Sequence, residues 1–210
     1  MRTIWDISPR LHPATPVFPG DTPFQVLWNE RINDGGCANV STIHMSPHAG
    51  AHVDAPMHLD SKACDIASLR LETFIGRARV VDLSEREGDA SPITIDEMPD
   101  GPLPARLLLK TRKSLPEGWC TDYRPLAPAM IRELHERGVV LIGIDAPSVD
   151  PAESRDLPAH RTALVHDMLI LENLDFRDVE GGDYELIALP LRLEGVEASP
   201  VRAVLRSWIR

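Results

Sequence analysis

The stretch Ser46-Pro47-His48-Ala49-Gly50-Ala51-His52-Val53-Asp54-Ala55-Pro56-Met57-His58 places three histidines and one aspartate within eleven residues. A helix would bring His48 and His52 to one face, but the two prolines and the glycine oppose helix formation. In an extended chain alternate residues share a face, so His52, Asp54 and His58 project together. We therefore expect one face that carries ligands and an opposite, apolar face that enters a core.

The length and composition of the chain fit one globular domain. At 210 residues the chain can bury a full core, so we expect residues 1–210 to form a single domain. The formal net charge of -10 argues against a nucleic acid or an anionic membrane as partner, because both require a basic surface. We find no signal-peptide pattern, no bilayer-spanning segment and no CxxC spacing. These features predict a cytoplasmic protein with reduced thiols.

Short apolar runs between prolines and turns predict a sheet with few helices. The 19 prolines suit short elements better than a long helical bundle. We expect helices at 128–137 and 160–166, an apolar run at 168–171, and strands near 3–7, 38–45, 78–83, 105–110, 139–145, 184–193 and 201–209. This order predicts an α/β or α+β domain built on a mixed sheet.

The donor atoms of the opening stretch favour a metal site. Imidazole nitrogen and carboxylate oxygen together suit Zn²⁺, Mn²⁺, Co²⁺ or Fe²⁺, and small residues between them let the backbone fold closely around an ion. The alternative is a polar strand edge with solvated histidines. Three ligands from one segment leave a tetrahedral site incomplete, so further ligands are expected elsewhere in the chain.

Glu172 is the first candidate for such a ligand. It closes the apolar run at 168–171 and is followed by Leu174, and an unpaired buried carboxylate there would be costly. A bound metal would remove that cost, whereas the alternative is a solvated carboxylate at a strand end. His160 is a second candidate, but the residues alone do not separate it from His166.

Other catalytic motifs are missing from the sequence. It contains no GxGxxG, no GxxxxGK[ST] and no GxSxG pattern. Nucleotide binding and a serine nucleophile on a strained turn therefore have no support from the sequence.

The pattern His48-x-Gly50-x-His52-x-Asp54-x-Pro56-x-His58 resembles the signature of the metal-dependent cyclase family, which includes bacterial formamidases. Similarity to the formamidase group extends along almost the whole chain, through residues 5–8, 18–23, 143–151, 170–173 and 182–191. Many family members have Thr where this chain has Ala51, although the formamidase group is similar to this chain there. The motif alone indicates the wider family, and the flanking segments narrow it.

The resemblance implies a binuclear zinc centre, with Mn²⁺ or Co²⁺ as possible substitutes. Carried over position by position, the ligands are His48, His52, Asp54, His160 and Glu172. The first three would bind one ion and the last two would complete the second, with both carboxylates shared. The resemblance thus favours His160 over His166, and it makes His58 the acid/base instead of a ligand.

The resemblance also implies a fold, a substrate and an assembly. The fold would be a swivelling β/β/α-type sandwich, usually a homodimer. The substrate would be N-formyl-L-kynurenine, cleaved to L-kynurenine and formate in tryptophan degradation, with Phe18 against its aromatic ring. Phe18 is Trp in some relatives, and an aromatic residue in this Pro-rich segment either packs on the core or lines a pocket. Alternatives are another aryl amide, a cyclic imide such as isatin, or a non-catalytic metal-binding module.

Overall fold

The computed structural model describes residues 3–208 and arranges them as two α-helices, a nine-stranded mixed sheet and a two-stranded hairpin. The helices are α1 (Pro128–Glu136) and α2 (Pro158–Val165). The strands are β1 (Ile4–Asp6), β2 (Gln25–Glu30), β3 (Val40–His44), β4 (His52–Asp54), β5 (Ile75–Asp82), β6 (Arg106–Lys110), β7 (Leu141–Ile144), β8 (Leu169–Glu172), β9 (Gly182–Ile187), β10 (Ala198–Pro200) and β11 (Val204–Ser207). Neither helix is long and apolar enough to cross a membrane.

Four parallel strands, β5 to β8, form the centre of the large sheet. The full order is β1-β11-β9-β5-β6-β7-β8-β4-β10, and all other neighbours pair antiparallel. The predicted α/β class with a mixed sheet is confirmed. β2 and β3 form the separate hairpin.

The sheet has a hydrophobic core on each face. Leu107 and Leu109 of β6 pack in the cluster that contains the buried apolar residues of both helices, while Leu108 belongs to the cluster on the other side. Successive residues of a strand point to opposite faces. The apolar runs of β6 and β7 therefore follow from burial on both faces.

Both helices begin at a proline, and a glycine follows the end of α1. α1 has Pro128 in its first turn and buries Met130, Ile131 and Leu134 on one face. Gly138 follows it with a φ of +84°, a left-handed conformation that favours glycine. α2 begins at Pro158, two residues before the predicted start at 160. Helix existence was thus predictable, with ends displaced by one or two residues.

The extended interpretation of the opening stretch is correct only as far as Asp54. β4 ends there, and Pro56–His58 forms a single turn of 3-10 helix. Proline is favoured in the first turn of a helix because its φ is already suitable and its missing N–H needs no partner. The expectation that His58 continues the extended face of the strand is therefore wrong.

Three predicted boundaries also differ near the end of the chain. The strand expected at 184–193 begins at Gly182 and ends at Ile187, and the segment expected at 201–209 contains only β11, while residue 209 lies outside the described residues. β10 was not predicted. It pairs with β4 through Ser199 opposite Val53, a contact between short segments that a local pattern does not contain.

Candidate metal centre

Two adjacent strands bring the first donors together. β4 pairs antiparallel with β8, and the register sets His52 opposite Glu172. His52 Nε2 lies 3.4 Å from Glu172 Oε2 and 3.5 Å from Asp54 Oδ1. All three side chains are buried. Donors far apart in the sequence are therefore neighbours in the sheet.

The loop before β4 presents His48 to the same point. Gly50 has a φ of +70°, and an added Cβ there would lie 2.5 Å from Leu11 Cδ2. The left-handed backbone conformation favours glycine here, and a Cβ would also force the Leu11 side chain to shift. The resulting turn places His48 Nδ1 3.1 Å from Asp54 Oδ1.

The start of α2 supplies His160. The carboxylate of Asp150 accepts hydrogen bonds from the backbone N–H groups of Ala159 (2.7 Å) and His160 (3.0 Å). It also lies 2.7 Å from His160 Nδ1. His160 Nε2 then lies 3.4 Å from Asp54 Oδ2 and 3.3 Å from Glu172 Oε1. Asp150 thus fixes both the first turn of the helix and the direction of the imidazole.

The choice between His160 and His166 follows from their places on the helix. His160 is buried and reaches the carboxylates, whereas His166 lies just beyond the last turn of α2 and packs against His135 at a ring distance of 4.7 Å. The structure therefore brings His160 into the cluster and keeps His166 out of it.

His58 lies at the side of the cluster. Its ring centroid is 4.6 Å from that of His48 and 5.8 Å from that of His160. Asp54, His58 and His160 each offer one atom within 4.8 Å of the others, as His48, His52 and Asp54 also do. The short 3-10 turn, and not the strand, brings His58 to this position.

Polar contacts from outside the cluster orient its imidazoles. His52 Nδ1 lies 2.9 Å from the carbonyl oxygen of Gly50, which can only accept, so Nδ1 carries the proton. Asp150 holds Nδ1 of His160 in the same way. For His48 the outer nitrogen is Nε2, 3.5 Å from Glu197 Oε1. Such contacts fix which nitrogen faces inwards, an arrangement typical of metal-binding histidines.

Unsatisfied polar atoms at the centre show that the residues fit a cation. Among the described residues, His52 Nε2 and both carboxylate oxygens of Asp54 are buried without a hydrogen-bond partner. Leaving such atoms unpaired costs about 1–3 kcal/mol each, more for a charged group. A divalent ion that prefers nitrogen and oxygen ligands would satisfy all three. The donor set, its burial and its missing partners therefore describe a metal site.

The electrostatics of the cluster also favour a cation. Burial raises the pKa of Asp54, but the neighbouring imidazoles, His160 first, outweigh this effect and hold the pKa well below its usual value. Burial lowers the pKa of His52, but the carboxylates of Glu172 and Asp54 raise it to about 9. The site thus holds ionised carboxylates beside imidazoles that bind protons. A metal ion would compete with those protons for the same nitrogen atoms. His58 differs, because burial lowers its pKa below the ordinary 6.5.

A cavity of about 430 Å³ opens onto the cluster. Phe18 and Trp119 form part of its wall and pack edge to face, with ring centroids 5.4 Å apart and planes at 83°. Phe18 remains 52% exposed, so it lines the pocket and is not pinned to the core. Tyr123 and Pro147 extend the wall, and the Tyr123 hydroxyl donates to the carbonyl oxygen of Asp150.

The structure brings together all the residues that the sequence singled out. The cavity or the cluster includes His48, His52, Asp54, His58, His160, Glu172 and Phe18. Sequence reasoning missed Trp119, Asp150 and Glu197. An aromatic residue in the polar loop after β6 was the only signal for Trp119, whereas the other two resemble ordinary surface carboxylates in the sequence.

Comparison with known proteins connects this geometry to named relatives. A family model described as putative cyclase matches residues 5–151. Kynurenine formamidase from Bordetella petrii is 48% identical over 98% of this chain and 99% of its own length. The enzyme of the same name from Bordetella pertussis is 46% identical over the same shares of the two chains.

Solved structures share the fold at lower identity. One is a potential metal-dependent hydrolase with cyclase activity, 24% identical, with a TM-score of 0.84 over 100% of both chains. Another is isatin hydrolase A from Labrenzia aggregata, 23% identical, with a TM-score of 0.83 over 98% of this chain and 94% of that one. The predicted cyclase-type architecture is confirmed. Together with the family model and the near-full-length relatives, it shows that this chain belongs to the cyclase family.

Proposed function

We propose that this protein is a metal-dependent arylformamidase, which hydrolyses N-formyl-L-kynurenine to L-kynurenine and formate in tryptophan degradation. The observation that carries the proposal is the identity of 46% to 48%, over nearly the whole chain, to relatives named kynurenine formamidase. The geometry supports the same reaction, because the donor cluster opens on a cavity with an aromatic wall.

The proposed cofactor is a pair of zinc ions, for which Mn²⁺ or Co²⁺ could substitute. His48, His52 and Asp54 would hold one ion, and His160 and Glu172 would complete the other. The two carboxylates support this division, since Asp54 Oδ1 faces His48 and His52 while Oδ2 faces His160. Glu172 likewise directs one oxygen to His52 and the other to His160. Bound zinc supplies a Lewis acid that lowers the pKa of water and polarises a carbonyl group.

His58 is proposed as the acid/base of the reaction. Its lowered pKa leaves the imidazole neutral at pH 7, so it can accept a proton. It would take the proton of the water that attacks the formyl carbon and return it to the aniline nitrogen as the C–N bond breaks. The position of His58 supports this role, since it lines the cavity and its ring centroid lies 4.6 Å from that of His48.

The aromatic wall is proposed to hold the aryl ring of the substrate. Phe18 and Trp119 already pack edge to face, and a third ring placed against them would add contacts of the same kind. Such pairs contribute about 1 kcal/mol beyond the area that they bury. The wall thus favours aryl formamides over small aliphatic ones.

A second copy of the chain is the proposed partner of the β2–β3 hairpin. Every residue of both strands is exposed, including the large apolar residues Val26, Leu27, Trp28, Val40 and Ile43. Val26 and Ile43 are register partners on one face of the hairpin, which Trp28 shares, and a large exposed apolar surface is one mark of a protein interface. The hairpin therefore supports the homodimer that the family resemblance implies.

The proposed reaction is tested with a panel of substrates. Zinc-loaded protein is expected to release formate and L-kynurenine from N-formyl-L-kynurenine, and to act much more slowly on isatin and on N-formylglycine. Absorbance of the aniline product and a formate assay measure both halves of the reaction. A higher kcat/KM for isatin would assign the cyclic imide instead, and no turnover on any amide would leave a non-catalytic metal-binding module.

Two substitutions separate the roles of acid/base and ligand. His58→Ala is expected to retain its bound metal but to lower kcat by about 10²–10⁴-fold, because a proton carrier is lost. Asp54→Ala is expected to lose both metal and turnover, because it removes the carboxylate between the imidazoles. Metal analysis accompanies each assay, and His135→Ala serves as a control at an exposed histidine. Unchanged turnover in His58→Ala would remove that residue from the mechanism.

The oligomeric state of the protein tests the proposed interface at the hairpin. The double variant Val26→Asp and Ile43→Asp is expected to convert a dimer into a monomer, since it places two charges on the same apolar face of the hairpin. Light scattering after size exclusion gives the mass. Val165→Asp is the matched control, because Val165 is 77% exposed but lies on α2. A wild-type mass equal to one chain, or a double variant that remains dimeric, contradicts the proposed interface.

A further inference from the structure

One tight turn places a carboxylate beside the aromatic wall. The backbone N–H of Asp21 donates to the carbonyl oxygen of Phe18 at 2.9 Å, and Gly20 between them has a φ of +103°. A type II turn commonly has proline at its second position and favours glycine at its third, where φ is positive. The side chains at both ends of this turn, Phe18 and Asp21, line the cavity.

The Asp21 carboxylate accepts one hydrogen bond but has no positively charged partner among the described residues. Its Oδ2 accepts a hydrogen bond from the hydroxyl of Ser46 at 3.0 Å, in the loop that leads to His48. Within residues 3–208, no Lys or Arg lies within ion-pair distance of the Asp21 carboxylate. The carboxylate is partly exposed to the cavity and retains acceptor capacity for a further donor.

The described residues that line the cavity include carboxylates but no Lys or Arg. The acidic residues around it are Asp21, Glu172 and Glu197, and none of the described residues that line it is Lys or Arg. Glu172 belongs to the donor cluster, and Glu197 contacts His48. Asp21 is therefore the acidic group in this wall that contacts no member of the cluster.

We infer that Asp21 is a specificity-determining residue that binds the α-ammonium group of the substrate while Phe18, on the same turn, contacts the ring. The inference rests on the proposed function for the identity of the substrate and adds the recognition of its amino-acid arm. An ammonium group supplies the donors and the positive charge that this carboxylate lacks. Asp21 repels the carboxylate of the same arm, so the ammonium end turns to Asp21.

Two substrates that differ in one group test the inference. The first is N-formyl-L-kynurenine, and the second is 4-(2-formamidophenyl)-4-oxobutanoate, in which hydrogen replaces the ammonium group. In zinc-loaded Asp21→Asn, the ratio of kcat/KM between the first and second substrates is expected to fall about tenfold relative to wild type, since a charge-assisted hydrogen bond becomes a neutral one. The asparagine oxygen can still accept from Ser46, so the turn keeps its local support.

Controls separate recognition from structure. Asp96→Asn removes one negative charge from an exposed position that lines none of the described cavities, and it is expected to leave the ratio unchanged. Asp21→Glu retains the charge and is expected to restore part of the preference. Equal losses on both substrates in Asp21→Asn would assign Asp21 a structural role and overturn the inference.

Wild-type protein alone provides a second test that needs no variant to fold. L-Kynurenine is expected to inhibit at least several-fold more strongly than the same product without its ammonium group. Equal inhibition by the two products would contradict binding of the ammonium group at Asp21. If wild-type protein hydrolyses neither substrate, the proposed function fails; if it hydrolyses both with an unchanged ratio in Asp21→Asn, only the role of Asp21 fails.

Discussion

The burial of Asp54 between imidazoles is the constraint on which the site depends. Both oxygens of its carboxylate are enclosed and lack hydrogen-bond partners among the described residues, while His48, His52 and His160 face them at 3.1 to 3.5 Å. A buried carboxylate with no compensation is costly in a folded protein. The surrounding fold must therefore hold several nitrogen donors close enough for a cation to bridge them to Asp54.

The sheet and one helix meet this requirement with short elements. The antiparallel pair β4–β8 sets His52 beside Glu172, and the first turn of α2 adds His160 from the opposite side. Each contribution is fixed by a local device, a glycine turn for the loop before β4 and the carboxylate of Asp150 for the helix. An apolar core packs against each face of the sheet. The positions of the donor residues are therefore set by packing and not by the donors themselves.

Much of the fold was predictable because its signals are local. Apolar runs indicated β5, β6 and β7, and the buried stripe of α1 with Gly138 indicated that helix and its end. β2 and β10 were not predictable from local patterns. β2 is exposed on both faces, so it has no inward side to produce an alternating pattern, and β10 is a three-residue strand stabilised by pairing with a distant segment.

The residues of the site were likewise only partly predictable from the sequence. Ligand chemistry within one segment indicated His48, His52 and Asp54, and the cost of burying Glu172 indicated a distant partner. Residue types alone did not distinguish His160 from His166, since that choice depends on which end of α2 faces β8. Trp119 and Asp150 reach the site because of the course of the loops that carry them, which the sequence does not show. The position of Asp21 at the cavity likewise becomes apparent only from the structure of its turn.

The central claim is that the cluster around Asp54 binds the metal ions on which turnover depends. It is tested most directly by stripping the protein with a chelator, verifying the loss of metal, and titrating Zn²⁺ while both bound metal and hydrolysis of N-formyl-L-kynurenine are measured. We predict no turnover in the stripped protein and a full return of activity at two bound ions per chain. Full activity in a verified metal-free protein would contradict the account.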